Sequence, residues 1–318
     1  MAIDFRNTMR SFFSSKAASI IIVTVVMQTI CILFVPRFAT RLNAQLLLRA
    51  IPSLGIVSIG VSLLMIAQEF DLSVGSTFAL ASLIMTLSFK AGLNIWLSFL
   101  LGLITGCFVG AMNGLIVIKT RIPSFIATLG TMMIWRGAVL VLSGGAPITF
   151  LPGASFKAIL SGSIGAMPVQ FIWFVGVAIL FWMFLENHKF GNSVFATGGN
   201  KEAAKAIGIN TDRAKLTCFM IVGATAALAG CMEVTRISSV FPIQGQGLEL
   251  QAIAASVVGG TNLMGGEGTI LGTFLGATII YTIQDLLLLL RAPAYYLQLF
   301  VGILIIIAVI FNVIIKRT

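Results

Sequence analysis

The sequence has few charged residues, and long apolar segments take their place. Only 9% of its 318 residues are charged and 58% are hydrophobic, whereas a soluble globular domain carries about 25% charged residues. This composition excludes an ordinary soluble enzyme. The apolar segments recur along the whole length without a long linker between them, so we expect one membrane domain covering residues 1–318.

The chain also has few of the residues that build metal and nucleic-acid sites. Its cysteines lie singly within apolar segments and have no metal-ligand spacing: Cys31, Cys107, Cys218 and Cys231. The one histidine, His188, lies in a polar loop, where we expect it to be solvated. We therefore expect no metal and no other cofactor. The net charge of +10 is spread over single basic residues, which disfavours nucleic-acid binding.

Apolar windows predict about ten transmembrane helices, because about 20 helical residues cross the roughly 30 Å hydrocarbon core of a bilayer. The expected spans are residues 17–35, 50–67, 72–89, 93–118, 124–142, 169–185, 214–234, 248–263, 269–290 and 295–315. Glycine, serine and acidic residues interrupt the windows 50–90 and 248–268, so we expect broken or re-entrant helices there. The predicted fold class is an all-α polytopic membrane protein.

The distribution of basic residues predicts the orientation of the chain. With ten spans and the N-terminus inside, the inside segments hold more lysine and arginine residues than the outside segments. Cytoplasmic segments of membrane proteins carry this excess. We therefore expect both termini in the cytoplasm.

One predicted span carries a glycine at every fourth position: Gly102, Gly106, Gly110 and Gly114. Such a row of bare backbone allows another helix to approach closely. We expect this helix to be buried in protein and not to face lipid. The partner is either a helix of the same chain or a helix of a second subunit.

The longest polar interruption on the predicted cytoplasmic side, residues 186–215, contains signals for a short helix. Asn200 is a suitable N-cap, Glu202 would lie in the first turn, and Gly208 can adopt the left-handed conformation that ends a helix. These residues predict a helix over 201–207. A helix of two turns is not stable alone in water.

Alanines give this short helix a surface with little bulk: Ala203, Ala204 and Ala206. Such a surface allows a partner protein to pack closely against it. An ordinary solvated loop helix is the alternative interpretation.

Four ordered motifs resemble one family. Residues 198–210, Gly-Gly-Asn-Lys-Glu-Ala-Ala-Lys-Ala-Ile-Gly-Ile-Asn, resemble the cytoplasmic coupling region of ribose-type ABC importer permeases. Residues 70–76, Phe-Asp-Leu-Ser-Val-Gly-Ser, are similar to that family's Ile-Asp-Leu-Ser-Val-Gly-Ser, and residues 248–262 are similar to its Glu-Leu-Asp-Ala-Ile-Ala-Ala segment. Residues 265–273 continue this match, so the resemblance extends from about residue 50 to the C-terminus.

The resemblance implies a subunit of an importer in the bacterial inner membrane. Its partners would be a second permease subunit, identical or paralogous, ATP-hydrolysing subunits and a periplasmic solute-binding protein. The solute would be a monosaccharide such as ribose or a related small polar compound. The chain has no GxxxxGK[ST] loop, which agrees with ATP hydrolysis on a separate subunit.

The resemblance also implies which residues take part in transport. Those expected to couple to the ATPase subunit are Gly198, Gly199, Asn200, Ala203, Ala204, Gly208 and Ile209. Closure of the ATPase subunits would push on this segment and tilt the membrane helices. The candidates for lining the translocation pathway are Asp71, Ser73, Asn113, Gln246 and Glu249.

Charged residues within or beside spans are functional candidates by default. Arg136 falls within a span, where its role is either structural, through pairing or a position at a helix end, or part of the pathway. Glu233 and Arg236 are three residues apart and can pair on one helix face. Asp285 is costly at depth, so we expect it near a helix end, paired, or facing water.

The chain departs from the family at two dipeptides. Gln68-Glu69 stands where members usually have a neutral glycine-rich pair, and Gln284-Asp285 stands where they usually have neutral asparagine-rich residues. These differences bear on the identity of the solute.

Two other functions compete with the importer subunit. An ion-coupled secondary transporter needs an acid or a broken-helix ion site near mid-membrane, and Asp71, Glu249 and Asp285 keep this alternative open. A membrane-embedded enzyme needs catalytic groups that converge within the bilayer. One loop histidine and dispersed cysteines disfavour it.

Overall fold

The computed structural model describes residues 16–293 and, beyond them, Tyr296, Leu299, Phe300, Gly302, Ile303, Ile306 and Ile310. The described chain is almost entirely helical, which confirms the predicted all-α polytopic class. Its helices are α1 (Lys16–Phe34), α2 (Arg41–Ile66), α3 (Val74–Lys90), α4 (Ile95–Thr120), α5 (Ser124–Ser143), α6 (Ala154–Ser161), α7 (Val169–Asn187), α8 (Lys189–Gly199), α9 (Lys201–Ala206), α10 (Thr211–Ile237), α11 (Leu248–Val258) and α12 (Ile270–Leu289).

Four two-residue strands form two small antiparallel sheets. Strand β1 (Ile148–Thr149) pairs with β4 (Ser239–Val240), and β2 (Ser163–Ile164) pairs with β3 (Met167–Pro168). Both sheets lie beside α6, at the opposite end of the helix bundle from α8 and α9. We call these two ends the α6 end and the α9 end.

Among the described residues, six helices are long and apolar enough to cross a membrane: α2, α4, α5, α7, α10 and α12. The apolar part of α1 and the helices α3 and α11 are shorter. The structure therefore does not support the expected count of ten, and most of the tenth expected span, 295–315, lies outside the described residues. The 11 residues of α11 extend only about 17 Å, roughly half of the hydrocarbon thickness. Residues 241–258 thus form a loop followed by a half-length helix, and we call this stretch the broken span.

The sequence prediction misplaced the ends of α2 and α10 and missed two helices. Helix α2 begins at Arg41 and not near residue 50, because Thr40 caps it there. The prediction missed this start because the arginines of the first turns lower the average hydropathy of the window. Helix α10 is longer at both ends than the expected 214–234, since Asn210 caps its start. Helices α6 and α8 were not predicted, because their short amphipathic sequences give no signal in a window of about 20 residues.

The centre of the bundle is formed by α2, α3 and α10. Side chains from Leu54 to Ile66 of α2 are buried, as are most of those between Cys218 and Thr235 of α10. Helices α4, α5 and α7 pack around this centre and expose apolar side chains such as Ile134 and Ile179. An apolar outer surface of this kind suits contact with lipid.

The four spaced glycines of α4 all face other helices of the same chain. The rest of the helix is mostly exposed, with Leu100, Ile104 and Phe108 on the outer surface, so the expectation that α4 is buried in protein and does not face lipid is wrong. Gly106 faces the backbone of Gly223, and Gly110 faces the backbone carbonyl of Phe219, both on α10. Gly114 also faces α10, whereas Gly102 lies against both α10 and the Ala81 carbonyl of α3. In the structure this row serves packing within the chain, where lipid supplies no hydrophobic driving force and close backbone contact stabilises helix pairs.

We predict that Gly110→Ala destabilises the bundle. The added methyl group would occupy the position of the Phe219 carbonyl oxygen, and two backbones must then separate. We expect a loss of about 1–3 kcal/mol, measured as a lower thermal denaturation midpoint in mild detergent. Gly130→Ala on α5 is the control, because its added methyl group would meet nothing within 4 Å. Equal midpoints for the two variants would contradict the prediction.

Candidate functional site

The coupling segment, residues 198–209, contains the short helix α9. Asn200 Oδ1 accepts a hydrogen bond of 3.0 Å from the backbone N of Ala203 and so caps the helix. Glu202 and Lys205 form an exposed ion pair of 3.6 Å, and Gly208 has a positive φ of 87°. This matches the predicted capped helix, except that the helix ends at Ala206, one residue earlier than expected.

Backbone contacts hold the coupling segment against the membrane bundle. Gly198 is buried, and a Cβ there would collide with the carbonyl of Ile66 at the end of α2. The N–H of Gly266, in the loop before α12, donates a hydrogen bond of 2.9 Å to the same carbonyl. Gly199 lies next to Gly266. The segment therefore rests directly on α2 and on the 259–269 loop.

The exposed side of α9 differs from the expected one. Ala203, Ala206 and Ile207 are exposed, and 76% of Ile207 is accessible. Ala204 is only 2% accessible, so it packs inwards and cannot contact a partner directly, contrary to expectation. Ile209 is half-buried. Sequence reasoning missed Ile207, although an isoleucine just beyond an alanine- and lysine-rich helix was a usable signal.

A charged cleft of about 480 Å³ opens beside α9. It lies between the end of α4, α9 and the beginning of α10. Its charged lining consists of Glu69, Arg121, Lys201, Glu202, Lys205, Asp212 and Lys215. A lining that carries both signs of charge suits water or a protein partner and does not suit lipid tails.

Three of the expected pathway residues form one buried polar cluster at the start of α3. The Nδ2 of Asn113 donates hydrogen bonds to Asp71 Oδ2 at 3.0 Å and to Ser73 Oγ at 2.8 Å. The backbone N of Ser73 donates to Asp71 Oδ1 at 2.7 Å. All three side chains are buried, and Asn113 Oδ1 has no hydrogen-bond partner. The cluster is closed in this conformation and lines no open passage.

The segment 67–73, which carries Asp71 and Ser73, is also bonded to α5. The backbone N of Phe70 donates to Ser124 Oγ at 3.0 Å, and that of Leu72 donates to Thr128 Oγ1 at 3.1 Å. These bonds satisfy two backbone N–H groups of residues 67–73, the irregular segment between α2 and α3. Irregular backbone at membrane depth requires such partners.

The other two expected pathway residues lie apart from this cluster, on the broken span. Glu249 is half-buried in the first turn of α11, and its Oε1 accepts a hydrogen bond of 3.2 Å from Gly247 N. Gln246 is exposed in the loop before it. The structure thus divides the five candidates into a closed cluster of three and a more accessible pair.

Arg136 holds the loop of the broken span in place. Its guanidinium donates hydrogen bonds to the carbonyls of Pro242 at 2.7 Å, Gln244 at 2.9 Å and Gly75 at 3.1 Å. Gly75 and Gly245 also meet backbone to backbone. Of the two interpretations of Arg136, the observed geometry fits structural pairing.

Glu233, Arg236 and Asp285 have partners within the described chain, as the sequence indicated. Glu233 and Arg236 form an ion pair on one face of α10, and Ser53 Oγ donates to Glu233 Oε2 at 2.8 Å. Asp285, near the end of α12, accepts a hydrogen bond of 2.8 Å from Asn43 Nδ2. His188 Nδ1 accepts one of 3.1 Å from Phe190 N and caps α8. In the part of the chain that the structure describes, no group of three or more His, Cys, Asp or Glu side chains could hold a metal ion.

The fold and these sites define a multi-pass helical membrane protein with a broken span and a short exposed helix beside a charged cleft. A family model described as "Branched-chain amino acid transport system / permease component" matches residues 43–309. The chain belongs to this family of permease components. No solved structure matches the chain.

Two relatives place the chain more closely within this family. It is 36% identical over 278 residues to the ribose import permease protein of Bacillus subtilis (strain 168), covering 87% of this chain and 86% of the relative. It is also 36% identical over 258 residues to an autoinducer 2 import system permease protein of Yersinia pseudotuberculosis, covering 81% of this chain and 73% of the relative. The predicted resemblance to importer permeases is confirmed, and the matches do not support an ion-coupled transporter.

We predict that Asn113→Ala destabilises the protein through the polar cluster. The change leaves Asp71 and Ser73 without the amide donor that they share. We expect a loss of about 1–3 kcal/mol, the cost of a buried group left without its partner, measured as a lower thermal midpoint.

Thr105→Ala on the same helix is the matched control for this prediction. The hydroxyl of Thr105 donates only to the Leu101 carbonyl of its own helix. Its removal should change the midpoint little. An Asn113→Ala midpoint as high as that of Thr105→Ala would show that the cluster contributes no stability.

Proposed function

We propose that this chain forms the translocation pathway of an importer for a monosaccharide of the ribose type or a related small polar solute. ATP hydrolysis on separate subunits drives the transport. Membership of the permease family and the two relatives, named for ribose and for autoinducer 2 import, support this proposal. The solute-binding protein supplies most of the selectivity, so the pathway itself is weakly polar and has no tight site.

The observation that carries the proposal is the exposed coupling segment beside the charged cleft. A six-residue helix is not stable alone in water, yet here it is capped, and it rests by backbone contacts on α2 and the 259–269 loop. The residues Gly199, Asn200, Ala203 and Gly208 face the ATPase subunit, together with Ile207. The residues Gly198, Ala204 and Ile209 seat the segment on the bundle, so that a force applied to α9 reaches the membrane helices.

The proposed topology places the α9 end in the cytoplasm. Basic residues collect there, including Lys189, Lys201, Arg213 and Lys215, as the positive-inside rule requires. If α1 and α3 each cross the membrane, and residues 241–258 cross it as a broken span, residues 295–315 complete ten crossings. Both termini are then cytoplasmic, and the protein lies in the bacterial inner membrane.

The proposed complex contains two permease subunits, either two copies of this chain or this chain and a paralogue. The ATP-hydrolysing subunits bind the α9 end, and the periplasmic solute-binding protein binds the α6 end. The chain itself contains no GxxxxGK[ST] loop, so the nucleotide site belongs to the ATPase subunits.

The proposed pathway includes both groups of candidate residues. Gln246 and Glu249, on the broken span, offer accessible hydrogen-bonding groups to a passing solute. Asp71, Ser73 and Asn113 form the closed cluster, and they reach the solute only when α3 and α4 move apart. Broken helices contribute binding groups in this way in many transporters.

The first experiment identifies the partners. The tagged chain is cross-linked gently in native membranes, extracted in mild detergent and analysed by mass spectrometry. Recovery of an ATPase with a GxxxxGK[ST] loop, cross-linked through residues 198–209, supports the proposal. Recovery of the chain alone, with a cross-linker that works on a control complex, counts against it.

We predict that Ile207→Asp weakens retention of the ATPase subunit. Ile207 is the most exposed apolar side chain of the coupling segment, and a charge at a desolvated anchor of an interface costs at least about ten-fold in affinity. Retention is measured by co-purification of the ATPase subunit in detergent.

Ile164→Asp is the matched control for Ile207→Asp. Ile164 is 69% accessible but lies in β2 at the α6 end. This variant should retain the ATPase subunit as the wild type does. Equal retention in both variants would exclude α9 as the main docking element.

A further inference from the structure

A buried ion pair joins α10 to the segment between α2 and α3. Lys215 lies in the second turn of α10, and its Nζ contacts Glu69 Oε1 in the segment 67–73. The two side chains are only 7% and 12% accessible, respectively. Both line the charged cleft, and Lys215 is its one buried charged residue.

The Lys215 side of the pair is connected to the coupling segment. The backbone N of Ile209 donates a hydrogen bond of 3.0 Å to the Ala204 carbonyl of α9. The next residue, Asn210, caps α10 by accepting a hydrogen bond of 2.9 Å from Arg213 N. Lys215 lies five residues after Asn210, so the start of α10 moves with α9.

The Glu69 side of the pair is connected to the polar cluster. Gln68 adopts a positive φ of 65°, which turns the chain sharply after α2. Two residues after Glu69, Asp71 accepts the hydrogen bond from Asn113, and the intervening Phe70 is bonded to Ser124. A displacement of Glu69 therefore pulls directly on the cluster at the start of α3.

A buried pair of this kind stays closed while its two elements move. Separation of the two side chains would leave each charge buried without its partner, which is strongly unfavourable. The stability of a protein usually tolerates replacement of both charges by neutral groups. The pair therefore behaves as a stiff connection between α10 and the segment 67–73. Apolar contacts are not directional, so contacts of that kind alone would let α10 slide against the segment 67–73.

We propose that Glu69 and Lys215 are positioning residues that transmit the movement of the coupling segment to the Asp71–Ser73–Asn113 cluster. This inference rests on the proposed function. Displacement of α9 by the ATPase subunits carries the start of α10, and Lys215 draws Glu69 with it. The cluster then opens or closes in step with ATP hydrolysis.

The test uses the complete importer, reconstituted into proteoliposomes with its ATP-hydrolysing subunits and its solute-binding protein. Radiolabelled ribose and autoinducer 2 are the transported probes. The readout is the amount of solute imported per ATP hydrolysed. The variant E69Q/K215M removes both charges with little change of volume, and E69K/K215E exchanges them.

We expect E69Q/K215M to lower the solute imported per ATP at least about ten-fold, within the range of typical coupling between sites. ATP hydrolysis should stay within about three-fold of the wild type, and E69K/K215E should recover the ratio to within about three-fold. A purely structural pair predicts a wild-type ratio in E69Q/K215M, and that result would overturn the inference. The control E233Q/R236M neutralises an ion pair that lies within α10 alone and outside the cleft, and it should transport normally.

Two outcomes need a further measurement or comparison: a variant that does not fold, and a wild-type importer that does not transport. If E69Q/K215M does not fold, E69D keeps the charge but shortens the connection by one methylene, and it should lower the ratio at least about two-fold. An unchanged ratio in E69D then overturns the inference. If the wild-type importer takes up neither probe in response to ATP, the proposed function itself fails, and the inference fails with it.

Discussion

Close contact between bare backbones at glycine is the constraint on which this structure depends. Lipid is as apolar as the side chains that meet it, so the hydrophobic effect does not press membrane helices together. Gly110 and Gly223 let α4 and α10 approach to backbone distance, and Gly276 does the same for α12 against the Ala255 carbonyl of α11. At the α9 end, Gly198 seats the coupling segment on α2 by the same means. Packing between the long helices and attachment of the coupling segment therefore both depend on close backbone contact at glycine.

Polar groups form the second kind of contact, and they lie where the backbone is irregular. The segment 67–73 is bonded through Asp71 to Asn113, and the loop 241–247 is bonded through its carbonyls to Arg136. A buried polar group that lacks a partner is costly, so each bond strongly favours one arrangement of the helices around it. Both irregular segments reach α3, which places this helix at the junction between the coupling segment and the proposed pathway.

Few contacts separate the coupling segment from the central helices of the bundle. The coupling segment touches the end of α2 directly, and it leads through Asn210 into α10. These two helices form the centre of the bundle, whereas α5 and α7 remain at its periphery. A movement of α9 therefore acts on the buried centre and does not have to pass through the outer helices.

The sequence by itself determined the membrane class, most of the spans, the family and the capped helix that follows Asn200, to within one residue at its end. Each of these follows from local signals: apolar length, the Asn200 cap and ordered motifs. Only the tertiary structure decided that Ala204 packs inwards, that Ile207 is exposed, and that Glu69 meets Lys215 across 146 positions of sequence. The direction in which a side chain points, and its distant partner, depend on how helices rotate against one another. That rotation is set by the packing of the whole bundle, which no local pattern contains.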